Sequence, residues 1–307
     1  MPRWGLTLPF AGVPLAATEA LVRRAEADGW DDLWSADTNG PDGFTPLALA
    51  AAWTERMRLG TAIVSAYTRG PAVLAQHAAA LADASGGRFV LGLGSSSDVI
   101  VERWNEVPFA RPLTRVRETV AKLRPVLAGE RGPGGFRLET PPAQPVPIYL
   151  AALRQRMLCL SGEVADGTIL NFLPLGSARD VVAAIRPPEG HDVVCRFFCI
   201  PQPLEPGLAI ARHLFAAYAT VPVYEAFFRE LGWGGAIDPM VEAWRAGDRR
   251  AAAERAPEAL LREVFVFGGA GAMRERLLEF AGAGVTSLCL TPLCAPDELP
   301  HLIEGLA

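Results

Sequence analysis

Two periods of apolar and polar positions run along this chain. Short stretches apolar on both faces predict strands buried from both sides, as at Asp32–Ala36 (DLWSA), Arg58–Val64 (RLGTAIV), Arg88–Leu93 (RFVLGL) and Gly167–Asn171. Trp4–Pro9, Val146–Leu150, Val193–Ile200 and Val285–Leu290 complete a set of eight. Amphipathic segments of helical spacing lie between them: Leu15–Asp28, Pro46–Glu55, Pro71–Ala84, Pro112–Leu127 and Arg154–Ala165. Eight strand–helix units without a break in composition favour a closed α/β barrel, the TIM (β/α)8 barrel with insertions, over an open sheet. The expected organisation is one domain over residues 1–307. Glu130–Pro145 is rich in Gly and Pro and reads as a surface insertion. Thr220–Arg262 reads as a helical excursion that covers the barrel mouth or a subunit interface.

Composition narrows the function classes. A net charge of −5 argues against a nucleic-acid binder, which needs a basic face. No apolar run reaches membrane-spanning length, and Met1–Phe10 reads as a strand rather than a signal peptide. The five cysteines include no CxxC pair, and the four histidines are scattered, so no metal site is expected. Cys195 and Cys199 share a strand face with Phe197 and read as small buried hydrophobes. An odd cysteine count without a secretion signal points to the cytoplasm. Lys122 is the sole lysine among 29 basic residues, so any anion must be held by Arg or by backbone N–H groups.

In a barrel the active site lies where the loops following the strands gather. The loop after the fourth strand, Gly92-Leu93-Gly94-Ser95-Ser96-Ser97, is the most informative. Its glycines remove side chains where something must approach the backbone, and its hydroxyls and N–H groups suit an anion or a planar polar ligand. It lacks the Gly-Lys-Thr/Ser of a phosphate loop and the third glycine of a dinucleotide fingerprint, and it is equally compatible with a tight turn. His77 reads as a packing or surface residue. Phe44, Tyr67 and Trp104 read as loop aromatics open to either substrate packing or anchoring, and Thr68-Arg69 as a helix cap or phosphate contact.

Several collinear blocks carry a resemblance that covers nearly the whole chain. They are FTPLALAAAWTERMRLGTAIV, YTRGPAVLAQHAAALADASGGRFVLGLGSSSDVIVERWN, RVRETVAKLRPVLAGE, PVPIYLAAL, GEVADGTILN and FVFGGAGAMRERLLEFAGAGVTSLCLTP. The chain resembles the luciferase-like flavin and deazaflavin oxidoreductases, and within them the branch related to methylene-tetrahydromethanopterin reductase, which uses coenzyme F420. The resemblance implies a homodimer or higher oligomer acting on a small molecule. It implies a non-prolyl cis peptide at Ala62 and Ile63 supporting the cofactor ring. It also implies cofactor contacts from Gly94, Ser95 and Ser96 and, near the cofactor tail, from Ala151, Ala152 and Arg154. Arg154 departs from the small residues usual there.

The acid–base groups depart from the pattern as well. Deazaflavin-linked alcohol dehydrogenases of this superfamily place His after strand 2 and Glu after strand 4, where this chain has Asp37 and Ser97. Ser97 cannot serve as a general acid, which argues against that scheme of alcohol oxidation. Asp37 is the candidate proton partner, with an Asx turn or helix cap as its other reading. The expected activity is hydride transfer from reduced F420 to C=N, C=C or C=O. The alternatives are an FMN-dependent monooxygenase and a barrel that binds flavin without turnover.

Overall fold

The computed structural model describes residues 1–306. Ten parallel strands form one sheet: β1 (Arg3–Leu8), β2 (Asp32–Ser35), β3 (Arg58–Thr61), β4 (Val64–Ser65), β5 (Phe89–Gly94), β6 (Ile148–Ala151), β7 (Gly167–Asn171), β8 (Asp192–Ile200), β9 (Phe265–Phe267) and β10 (Ser287–Pro292). Strand β10 pairs with both β1 and β8, and this closes the barrel. β3 and β4 share one stave: β3 pairs with β2 and β5, and β4 continues along β5 after a break at Ala62-Ile63. The eight-stave TIM barrel is thus the fold expected from the alternating pattern. β9 is an addition to it: a three-residue strand hydrogen-bonded to the outer end of β8.

Side chains alternate across each strand, so every second residue enters the barrel. A middle layer consists of Trp34, Val90, Tyr149, Ile169, Val194 and Cys289. Trp34 is fully buried there, and it explains a glycine: a Cβ on Gly60 would lie 2.2 Å from its ring. The opposite strand faces, with Leu33, Leu59, Leu91, Leu150, Leu170, Cys195, Phe197 and Leu290, pack in the main core. Cys195 and Cys199 are buried free thiols, as their spacing with Phe197 predicts.

At the N-terminal end of the barrel a charged layer replaces the apolar one. Arg58 Nη2 meets Asp32 Oδ2 at 2.5 Å and its Nη1 meets Asp192 Oδ2 at 2.7 Å. Arg3 binds Asp32 from the other side at 2.6 Å, and Ser287 and Tyr149 donate to Asp192. Every charge in this layer has a partner, which is what its burial demands.

Residues 130–145 hold one short turn, Pro133–Gly135, in otherwise irregular chain. Residues 220–262 fold as helices Pro222–Glu230, Gly234–Arg245, Arg249–Glu254 and Glu258–Val264. No helix among the described residues is long and apolar enough to cross a membrane.

Candidate active site

The mouth of the barrel has two unlike halves. The first is built from β3 to β6 and is apolar. The Ala62–Ile63 peptide bond is cis, at the position the resemblance implies. Here the chain turns out of β3 and back into β4. The Ala62 N–H donates to the Ser35 carbonyl at 2.6 Å, and the Asp37 N–H donates to the Ile63 carbonyl at 3.0 Å, tying the bulge to the end of β2. Thr61 Oγ1 donates to the Gly92 carbonyl and accepts from the Gly92 N–H, each at 2.8 Å.

The glycines of β5 belong to this bulge. A Cβ on Gly92 would lie 1.7 Å from the Thr61 carbonyl oxygen, and one on Gly94 would lie 2.9 Å from Ile63 and 3.1 Å from the Ala151 methyl. Gly94 is itself buried, so it seats Ile63 instead of leaving an open path for a ligand to the backbone. Ala62, Ile63 and Ala151 remain partly exposed and offer an apolar surface at the mouth. Such a surface fits one face of a tricyclic ring. Ser95 and Ser96 stand at its edge, partly exposed, Ser96 in the left-handed backbone region at φ 61°.

Other expected site residues fall differently. Ala152 is 2% exposed and packs in the main core, so its side chain does not reach the mouth. Arg154 reaches away to Glu230 of the helix Pro222–Glu230, with Nε to Oε1 at 2.6 Å. Asp37 is not the free acid that its place after β2 suggested. Its Oδ1 accepts from the Gly43 N–H at 2.9 Å, its Oδ2 from the Ser65 N–H at 3.4 Å, and Arg69 clasps both oxygens. This is the geometry of a loop fastener, joining the loop after β2, the end of β4 and the loop that follows it at one carboxylate. Arg69 lies 5.1 Å above the Phe44 ring, and His77 stacks on that ring at 4.4 Å. Burial holds the His77 imidazole below its usual pKa, with Arg69 acting in the same direction. Tyr67 donates to the Ala110 carbonyl at 2.6 Å as a loop anchor, whereas Trp104 stays 54% exposed.

The second half of the mouth, from β7, β8, β10 and β1, is polar. Asn171, Arg196 and Thr291 each lie two residues beyond a member of the buried middle layer, on the same strand faces. Arg196 Nε donates to Thr291 Oγ1 at 2.9 Å, and that hydroxyl pairs with Thr7 Oγ1 at 2.9 Å. Asn171 Nδ2 donates to the Tyr224 hydroxyl at 2.8 Å, so the helix Pro222–Glu230 closes this side. Arg196 has a sequence signal that sequence reasoning passed over: a lone charge inside VVCRFFCI, a strand otherwise apolar on both faces. Tyr224 has none, because only the fold brings its helix over the barrel.

Bulge, glycines and mouth together give a parallel α/β barrel whose open end carries an apolar shelf beside a polar patch. Residues 5–287 match the luciferase-like monooxygenase family, and the chain belongs to it. A Mycobacterium tuberculosis protein bearing the name "Putative coenzyme F420-dependent oxidoreductase" is 28% identical, with 94% of each chain covered. The 5,10-methylenetetrahydromethanopterin reductase of Methanolobus tindarius is 34% identical over 52% of this chain and 51% of its own. Among solved structures, the coenzyme F420 dependent tetrahydromethanopterin reductase of Methanopyrus kandleri superposes with a TM-score of 0.80 at 22% identity, covering 99% of this chain and 97% of that one.

Proposed function

We propose that this enzyme is a coenzyme F420-dependent reductase of small organic electrophiles. The observation that carries the reading is the bulge at Ala62-Ile63, seated by Gly94 and flanked by Ala151, which leaves a partly exposed apolar shelf at the mouth. Ala62, Ile63 and Ala151 would hold the ring face, with Ser95 and Ser96 at its polar edge. The names of two relatives support F420 as the molecule that fills the shelf. When bound, reduced deazaflavin supplies a hydride. The protein's part is to hold the ring and the substrate against each other and to provide charge and a proton where the product needs them. Asp37 takes the fastening role that its contacts describe, holding the loop after β2 to Ser65 of β4 and to Arg69 in the loop that follows it.

The family's name keeps a second reading in play, an FMN-dependent monooxygenase on the same shelf. Titration of the protein with F420 and with FMN, followed by fluorescence quenching, separates the two. Tighter binding of F420 and no oxygen consumption are expected. Equal or reversed affinities, with oxygen consumed in the presence of reduced FMN, would overturn the F420 reading.

A further inference from the structure

The polar half of the mouth has no task in holding a ring on the apolar half, and its hydrogen-bonding capacity is not used up. Among the described residues Arg196 has no ion-pair partner: its Nε is taken by Thr291, and its guanidinium rests 4.6 Å above the Phe198 ring. Among the described residues its two terminal nitrogens find no acceptor. The Tyr224 hydroxyl accepts from Asn171, which leaves its own hydrogen without an acceptor among the described residues. Asn171 and Arg196 are register partners on β7 and β8, so the unused phenol hydrogen and the unused guanidinium nitrogens belong to one patch.

Donors without acceptors, beside a cation without an anion, mark a place for an oxygen that carries or gains negative charge. We propose that Arg196 and Tyr224 form an oxyanion site that selects carbonyl electrophiles (ketones, enones or quinones) and that Tyr224 is their proton donor. The inference rests on the reductase reading for its chemistry and names the substrate class of that same mouth. Arg196 disfavours a cationic C=N electrophile at the same place by like-charge repulsion.

A hydride adds to the carbonyl carbon, the π pair of the C=O bond moves onto oxygen, and the Tyr224 O–H proton passes to that oxygen. The ketone becomes an alcohol, reduced by the two electrons that the reduced deazaflavin gives up. The tyrosinate left behind is stabilised by Arg196 and regains a proton from solvent. Burial, followed by the neighbouring Tyr218, pushes Tyr224 up to about 12, against the opposing pull of Asn171 and Arg196. The phenol is therefore protonated throughout the physiological range and ready to donate. Asn171 and Thr291 act as positioning residues, the first aiming the phenol and the second the guanidinium.

Two measurements test this, one of them free of cofactor. The apoprotein is titrated with para-nitrophenol at neutral pH, where the phenolate is yellow and the phenol is not. Saturable binding with increased yellow absorbance is expected. Tyr224→Phe and Arg196→Gln should each weaken it by about tenfold. Arg196→Lys should keep the preference for phenolate, because it keeps the charge. Binding of the colourless form, no saturable binding, or equal binding by all variants would overturn the oxyanion site. In the second measurement, reduced F420 is oxidised by cyclohexenone or menadione. Tyr224→Phe should lower kcat by about 10²-fold while F420 affinity stays within about twofold. Turnover by Tyr224→Phe at the wild-type rate would remove Tyr224 as proton donor while leaving the reductase reading intact. Failure of F420 to bind, with phenolate binding still dependent on Arg196, would remove the reductase reading and leave the site.

Discussion

Gly92 and Gly94 show how far a single residue reaches in this barrel. Two residues apart on β5, they point inward together, and each gives way to a different part of the bulge: Gly92 to the Thr61 carbonyl, Gly94 to the Ile63 side chain. The two substitutions should therefore fail in different ways. Gly92→Ala sets a methyl against backbone that is itself fixed by two hydrogen bonds, and should cost about 3 kcal/mol of stability in denaturant titration. Gly94→Val meets the Ile63 side chain and the Ala151 methyl rather than backbone and should fold, but it displaces the shelf and should weaken F420 binding by about tenfold or more. A folded Gly94→Val protein with wild-type affinity would show that Ile63 does not form the ring's support. Sequence reasoning singled out these glycines but assigned them to ligand approach. The contact that requires them lies across the strand pair, where Thr61 and Ile63 lie against β5, and no local spacing reveals it.

At the scale of elements, strands outward-packed and inward-packed at once were the easiest to read. β2, β7 and the helices Pro71–Ala84 and Pro112–Leu127 follow from runs, prolines and periodicity alone. β9 escaped notice because three residues after the helix Glu258–Val264 have no period, and only pairing with β8 makes them a strand. A buried polar chain links three elements at the other side of the barrel: Ser161 on the helix Gln155–Val164, Thr168 on β7 and His191 before β8. Ser161 Oγ lies 2.5 Å from Thr168 Oγ1, which lies 2.8 Å from His191 Nε2. Burial depresses the His191 pKa, opposed by the Ala165 backbone and by Asp192 and Asp166. A neutral His in the fold against an ordinary one in the unfolded chain contributes stability that is complete above the unfolded value of about 6.5 and is lost as pH falls through the folded value. His191→Gln should therefore flatten the loss of denaturant stability on going from pH 7 towards 5 (round values bracketing the ordinary His pKa of about 6.5). An unchanged slope in that window would assign the acid sensitivity to other groups.

Taken whole, the molecule separates its two sets of charges by the length of the barrel. The layer at the N-terminal end is saturated, with Arg58 shared between Asp32 and Asp192 and each carboxylate further supported. The polar patch at the mouth is unsaturated, with Arg196 and Tyr224 holding donors to spare. The first set can only hold staves together; the second can bind. Removing Arg58 tests this division. Burial alone would raise Asp192, yet Arg58 and the hydroxyls of Thr286 and Ser287 hold its carboxyl below the ordinary range. In the wild type that support is present above the unfolded carboxylate value of about 3.9 and is lost as pH falls through the lower folded value. In Arg58→Met the buried Asp192 loses its cation and Asp32 is left with Arg3, so stability at neutral pH should drop by about 3–5 kcal/mol. Mild acid, by protonating Asp192, should recover part of the loss in the variant, whereas the wild-type layer keeps its support until the pH falls below about 3.9. Because the layer lies at the far end from the mouth, F420 affinity and para-nitrophenol binding per folded molecule should stay at wild-type values. Denaturant titrations at neutral and mildly acidic pH, paired with the two binding titrations, read all three quantities. A loss below about 1 kcal/mol would show the charged layer to be dispensable; a folded variant with impaired binding would show that the two ends of the barrel are coupled.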